Sequence, residues 1–193
     1  MGVNDIYMKY CDILECEIEL TNTCNMKCAL CQRQYDLASC FLTENNIDFN
    51  KWKEILDKCT SLRRIIISGA ISEPTLYPEL VDLLDYLNLR NITVYLHTNG
   101  ETHDVKYWYE LGKHFKHNDR VIFTICGNNQ AQHAKYRIGS NLATMFRNVK
   151  AFKSTNIFKN DYLQLIRFEY NKHDIDNTKI YKSIFSNWFM IDS

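Results

Sequence analysis

The chain has 193 residues, 46% of them hydrophobic and 24% charged, which fits one globular domain and leaves little room for a second. Lys plus Arg equals Asp plus Glu at 23 each, so no overall field draws the chain toward nucleic acid or an anionic membrane. The first fifteen residues mix Asp5, Lys9, Asp12 and Glu15 into their apolar positions, and no run approaches the roughly 18 apolar residues of a membrane span; a cytoplasmic chain is expected.

In chain order, Glu17–Thr21 alternates polar and apolar residues and predicts a strand. Directly after it come Cys24, Cys28 and Cys31, three of the eight cysteines, within eight residues. In a reducing compartment such a set is not a disulfide framework. Asn50–Cys59 has helical spacing, and Arg64–Ser68 is a short β-branched run ending at Gly69. Pro78–Leu89 places a proline at the first helical turn and Leu80, Leu83, Leu84 and Leu87 on one stripe. Ile92–Leu96 reads as a strand closed by Asn99-Gly100, Val105–Phe115 as a helix, and Val121–Ile125 as a strand ending near Gly127. Leu142–Phe152 predicts a helix, Tyr162–Tyr170 an extended run, Thr178–Trp188 a helix, and Phe189–Ile191 a sixth strand.

Strands alternating with helices of about a dozen residues imply right-handed βαβ crossovers and a parallel sheet. The expected class is α/β: a doubly wound sheet or an open partial (β/α)6 barrel with parallel strands, of which the barrel is preferred. In both, the loops leaving the C-terminal strand ends build the site. The cysteine cluster, Gly69–Pro74, Thr98–Gly100 and Gly127 all fall on those loops.

The cysteine spacing is C-x3-C-x2-C. Three thiolates on one loop suit a soft metal centre. A structural zinc takes four closed ligands, and an iron–sulfur cubane ordinarily takes four cysteines, so three leave one iron open, as a substrate-binding cluster requires. A zinc site completed by Cys16, Cys40 or a histidine is the alternative.

The segment Ile18–Gln32 (IELTNTCNMKCALCQ) resembles the cluster loop of the radical S-adenosylmethionine superfamily. It is most similar to the branch of the molybdenum-cofactor cyclase and the peptide-modifying enzymes. The resemblance continues in order through Ser68–Leu80, His97-Thr-Asn-Gly100, Thr124-Ile-Cys-Gly127 with Lys135–Gly139, and Phe168–Asn171. It implies one core domain over residues 1–193, with 1–15 as an N-terminal extension, the sixth strand at the C-terminal end and no accessory-cluster domain. It implies two cofactors, a [4Fe–4S] cluster on Cys24, Cys28 and Cys31, and S-adenosylmethionine chelating the open iron. The cofactor's methionine amino group is expected at Ser68, Gly69, Ala70 and Glu73, through backbone carbonyls and the Glu73 carboxylate. Thr98 and Asn99 are expected near the methionine or ribose end, Thr124 and Arg137 near the carboxylate or ribose, and Asn171 at the fifth-strand end. Cys126 stands where the family commonly has Asp and is read as an inert buried thiol.

The activity implied is reductive cleavage of S-adenosylmethionine to a 5′-deoxyadenosyl radical that takes hydrogen from a substrate. A peptide or protein side chain is favoured, with a nucleotide or small metabolite next. An external electron donor of flavodoxin or ferredoxin type is implied, and a large substrate, a partner protein or a second copy would close the wide barrel mouth. The competing readings are a glycyl-radical-enzyme activase and a zinc-stabilised binding module.

Overall fold

The computed structural model describes residues 9–38, 45–155, 161–173 and 183–192. After a 3-10 turn at Tyr10–Asp12 come β1 (Glu15–Ile18), β2 (Lys27–Cys28), α1 (Gln32–Ala38), α2 (Phe49–Lys58) and β3 (Arg64–Ile67). A 3-10 turn at Pro74–Leu76 leads into α3 (Leu80–Leu89), β4 (Thr93–Thr98), α4 (Val105–Gly112), β5 (Arg120–Ile125) and α5 (Gln130–Tyr136). Then follow β6 (Arg137–Ile138), α6 (Leu142–Lys153), β7 (Asp161–Arg167) and β8 (Asn187–Asp192).

Six strands form one sheet in the order β1-β3-β4-β5-β7-β8, and every neighbouring pair is parallel. The order never reverses, so each right-handed crossover returns to the same side and the helices gather on one face. That decides between the two expected architectures: a doubly wound sheet needs a reversal, and this is an open partial barrel. Its concave face is left for a site.

Side chains alternate accordingly. The outward residues Ile65, Ile67, Val94, Leu96, Val121, Phe123, Ile125, Leu163 and Leu165 are fully buried under the helices. α4 and α6 add Trp108, Met145, Val149 and Phe152 to that core. Trp108, Phe123 and Phe152 meet with ring centroids 5.6–6.4 Å apart, the tilted and edge-on spacings that aromatic rings prefer. The inward residues are mostly polar or aromatic, with Ile66, Ile122 and Ile166 among them. At the N-terminal end of the barrel, Arg64 pairs with Glu15 at 2.5 Å. The guanidiniums of Arg64 and Arg120 each lie 4.7 Å from the Tyr95 ring centroid, and Arg120 lies 5.1 Å from that of Tyr162. This cation–π ladder lines the base of the concave face.

Several elements depart from expectation. The first strand starts two residues early and ends at Ile18; Thr21 instead bridges Asn46. Asn187 and Trp188 are in β8, not in a helix, and the rest of the predicted 178–188 helix up to residue 182 lies outside the described residues. Pro78 precedes α3, which begins at Leu80. α1, α5 and the antiparallel β2–β6 ladder have no counterpart in the periodicity.

Candidate functional site

At the C-terminal strand ends lies a cavity of about 310 Å³, the lower end of the range for ligand sites. Cys24, Cys28 and Cys31 form one side of it. Their loop is fastened to three others. The Glu73 amide donates to the Thr23 carbonyl at 2.8 Å, and Asn99 Nδ2 donates to Asn25 Oδ1 at 2.8 Å. The third fastening is the ladder: Lys27 pairs with Ile138, Cys28 with Arg137, and the Ala29 amide donates to the Tyr136 carbonyl. α1 begins immediately after Cys31, with the Gln34 amide donating to the Cys31 carbonyl.

The thiols are half-buried and none is in a disulfide. Burial raises the Cys24 thiol above its ordinary value and pushes Cys28 up to about 11, with Arg137 working in the opposite direction. A metal that binds here displaces those protons, since only the thiolate ligates. Among the described residues no three His, Cys, Asp or Glu side chains close on a single ion. The donor set, three soft sulfurs around an open cavity, fits a multi-iron cluster with one uncovered corner.

The loop after β3 forms the next wall. Ser68, Gly69, Ala70 and Glu73 all line the cavity. Gly69 is required by space: a Cβ there would stand 2.0 Å from the Ser72 carbonyl oxygen. Glu73 is 2% exposed, and its carboxylate is engaged by the protein. Oε1 accepts from the Thr75 amide (3.2 Å), Thr75 Oγ1 (2.6 Å) and Thr98 Oγ1 (2.6 Å), while Oε2 accepts from the Asn99 amide (2.8 Å). The carboxylate thus ties the β3 loop to the end of β4. Gly100 then turns with φ of 72°, a left-handed conformation in which a Cβ would also strike Phe123 and Met145 at 2.8 Å.

Thr98, Asn99, Thr124 and Arg137 line the same cavity. Thr124 Oγ1 donates to Gln164 Oε1 at 2.9 Å. Arg137 Nε donates to Cys126 Sγ at 3.3 Å, so Cys126 holds the cavity arginine although it is itself fully buried. The Cys126 amide donates to His133 Nδ1, which leaves His133 Nε2 carrying the proton toward Glu101 Oε1 at 3.3 Å. Burial lowers the pKa of His133, with the Glu101 hydrogen bond opposing, consistent with a neutral ring.

Asn171 is separated from the cavity. It is 1% exposed, Nδ2 donates to the Cys126 and Ile166 carbonyls, and Oδ1 accepts from the Phe168 amide at 2.7 Å. Its polar atoms are used in closing the turn after β7. Among the cavity residues, Glu17, Met26, His97, Tyr136, Gln164 and Ile166 carried no expectation of a role. The alternation of β1, β4 and β7 marks a polar face that carries Glu17, His97 and Gln164, without telling a cavity from solvent, and Tyr136 lies on α5, where no such alternation applies.

The model of the Radical SAM superfamily matches residues 18–178. The chain belongs to the radical SAM superfamily. Its cofactors are a [4Fe–4S] cluster and S-adenosylmethionine, and it is an enzyme of that class. Among curated relatives, a tungsten-containing aldehyde ferredoxin oxidoreductase cofactor-modifying protein from Pyrococcus furiosus is 28% identical over 85 residues, 43% of this chain and 23% of the relative. Among solved structures, anSMEcpe with bound AdoMet and Cp18Cys peptide superposes with a TM-score of 0.70 at 17% identity, covering 93% of this chain and 50% of that one. SuiB of Streptococcus suis, bound to its precursor peptide SuiA, gives 0.66 at 15% identity over 93% and 39%. These likenesses establish the partial-barrel fold, and the chain spans half or less of each. No helix among the described residues is long and apolar enough to cross a membrane.

Proposed function

We propose that Cys24, Cys28 and Cys31 ligate three irons of the cluster and that the cavity beside them receives S-adenosylmethionine at the fourth. Held there, the cluster and S-adenosylmethionine would supply one-electron reductive cleavage of the sulfonium, coupled to hydrogen-atom abstraction from the substrate. The protein's part is position and exclusion of water. The backbone of Ser68, Gly69 and Ala70 offers carbonyls to the methionine amino group. Arg137, fixed at Nε by Cys126, keeps its terminal nitrogens for a carboxylate, which a guanidinium binds in bidentate fashion. Thr98, Asn99 and Thr124 face the methionine and ribose end. Glu73 acts by holding the β3 loop against β4, because its carboxylate already takes four hydrogen bonds from the protein.

The observation that carries this reading is the meeting of three unpaired thiols, a close-approach glycine loop and a guanidinium on one cavity at the C-terminal ends of parallel strands. A peptide or protein side chain is the favoured substrate, supported by the peptide complexes of anSMEcpe and SuiB. An electron donor of flavodoxin or ferredoxin type would approach the cysteine loop, where Leu30 and Ile138 are exposed beside Lys27. The whole chain, residues 1–193, is read as one core domain.

Anaerobic reconstitution with iron and sulfide, followed by reduction in the presence of S-adenosylmethionine, tests the proposal. The expected result is a brown protein whose absorbance near 400 nm bleaches on reduction and which releases 5′-deoxyadenosine. Tight zinc binding without iron uptake would overturn it.

A further inference from the structure

The floor of the cavity is formed by Glu17 of β1, Ser68, His97 of β4 and Gln164 of β7. Glu17 is the acid among them. The Ser68 hydroxyl donates to its Oε1, which positions the carboxylate over the cavity. Among the described residues no Lys or Arg forms an ion pair with it. The neighbouring glutamates, Glu15 of β1 and Glu19 just after it, are occupied differently: Glu15 pairs with Arg64, and Glu19 Oε1 accepts from the Ile71 amide at 2.9 Å and Ser72 Oγ at 2.8 Å. His97 is no counter-charge, since burial lowers its pKa and leaves the ring neutral around pH 7 despite Glu17. The cavity's cation, Arg137, is at the far end beside the cysteines and is held by Cys126.

The floor therefore carries a formal negative charge that no described residue pairs with. Glu17 is exposed to solvent, and a ligand that seats on it displaces the water around its carboxylate, so a ligand that brings its own cation is favoured there. Gln164 and Ser68 add neutral hydrogen-bonding groups and no second charge, and so the floor selects by sign. Taking the radical reading above as its basis, we propose that the substrate of this enzyme carries an ammonium or guanidinium group that docks on Glu17, leaving a carbon of the same side chain toward the cysteine end. A basic side chain of a peptide has that form.

The test reads binding, not turnover. Cluster-loaded, oxidised protein with S-adenosylmethionine is titrated with n-butylammonium, n-butanol and n-butyrate by saturation-transfer NMR. The ammonium is expected to bind about tenfold tighter than the alcohol, the worth of one charge-assisted hydrogen bond, with butyrate weakest. Glu17→Gln removes the preference, and Glu17→Asp retains part of it. Equal binding of ammonium and alcohol to the unaltered protein overturns the proposal without any variant. So does a Glu17→Gln protein that keeps the preference, or one whose weakened affinity is for S-adenosylmethionine, because Glu17 would then serve the cofactor. Release of 5′-deoxyadenosine, measured on portions of the same samples after chemical reduction with dithionite, keeps the two readings apart: no release with the ammonium preference intact removes the radical chemistry and leaves the cation site.

Discussion

The two faces of the sheet are built from the same strands and have opposite jobs. On the convex face, Val94, Leu96, Val121 and Phe123 are wholly buried beneath the helices. One residue along, on the concave face, stand Tyr95, His97 and Thr124, which line the cavity or the cation–π ladder below it. A period of two thus separates the residues that hold the barrel together from those that meet ligands. The separation implies that damage to one face should spare the other, and each of the following experiments bears on it.

The largest effect is expected from Cys28→Ala, which should abolish cluster uptake and 5′-deoxyadenosine release. In the cluster-free protein the same change should alter unfolding free energy by under about 1 kcal/mol, because it falls on a half-buried loop. Iron content and urea unfolding check both halves, and a variant that cleaves normally would break the ligand assignment. On the other face, Phe123→Ala should cost about 3–5 kcal/mol in urea unfolding, given its ring contacts to Trp108, Phe152 and Phe185. A loss below about 1 kcal/mol would mean that the helix layer is not the main support.

Glu73 belongs to both regions, and Glu73→Ala is expected to cost about 2 kcal/mol by leaving the Thr75 and Asn99 amides without their acceptor. It should also weaken S-adenosylmethionine binding, measured by isothermal titration. Thr124→Val removes a single bond to Gln164 and should cost about 1 kcal/mol or less in the same unfolding assay. The smallest effect concerns Cys16. Burial, with Cys59 and Glu15 nearby, pushes its thiol up to about 11. A raised folded-state pKa stabilises the protonated form, so its contribution is present below the ordinary thiol range and lost as pH rises toward 11. The thermal midpoint of cluster-free protein should fall across that window, and Cys16→Ala should flatten the fall.

The convex face was legible from sequence because its residues are apolar and fall in short runs set off by turn residues. Arg64–Ser68 was expected where Arg64–Ile67 is found, and Val121–Ile125 where Arg120–Ile125 is found. The short elements were not. α5, with the sequence QAQHAKY, has no apolar stripe and relies on the Asn129 side chain capping the Gln132 amide. The β2–β6 ladder is two residues long, below what any periodicity registers. In the site, the cysteines stood out by chemistry and spacing, whereas Glu17, His97 and Gln164 looked like solvent-facing strand positions. Which way a strand's polar face points depends on where the helices gather, and that follows from strand order, which is a property of the whole chain. Asn171 was ambiguous for a different reason: one amide serves a turn or a ligand equally well, and the three partners it has here are those of the turn.

The β2–β6 ladder also bears on how the enzyme matures. It clips the cysteine loop to a segment more than a hundred residues later by only two residue pairs, Lys27 with Ile138 and Cys28 with Arg137. Parting so short a clasp would free one side of the cysteine loop while the six-stranded sheet remains intact, so iron and sulfide could be delivered to a folded protein. Backbone amides of residues 27–29 should accordingly exchange with deuterated solvent far sooner than those of β4 and β5.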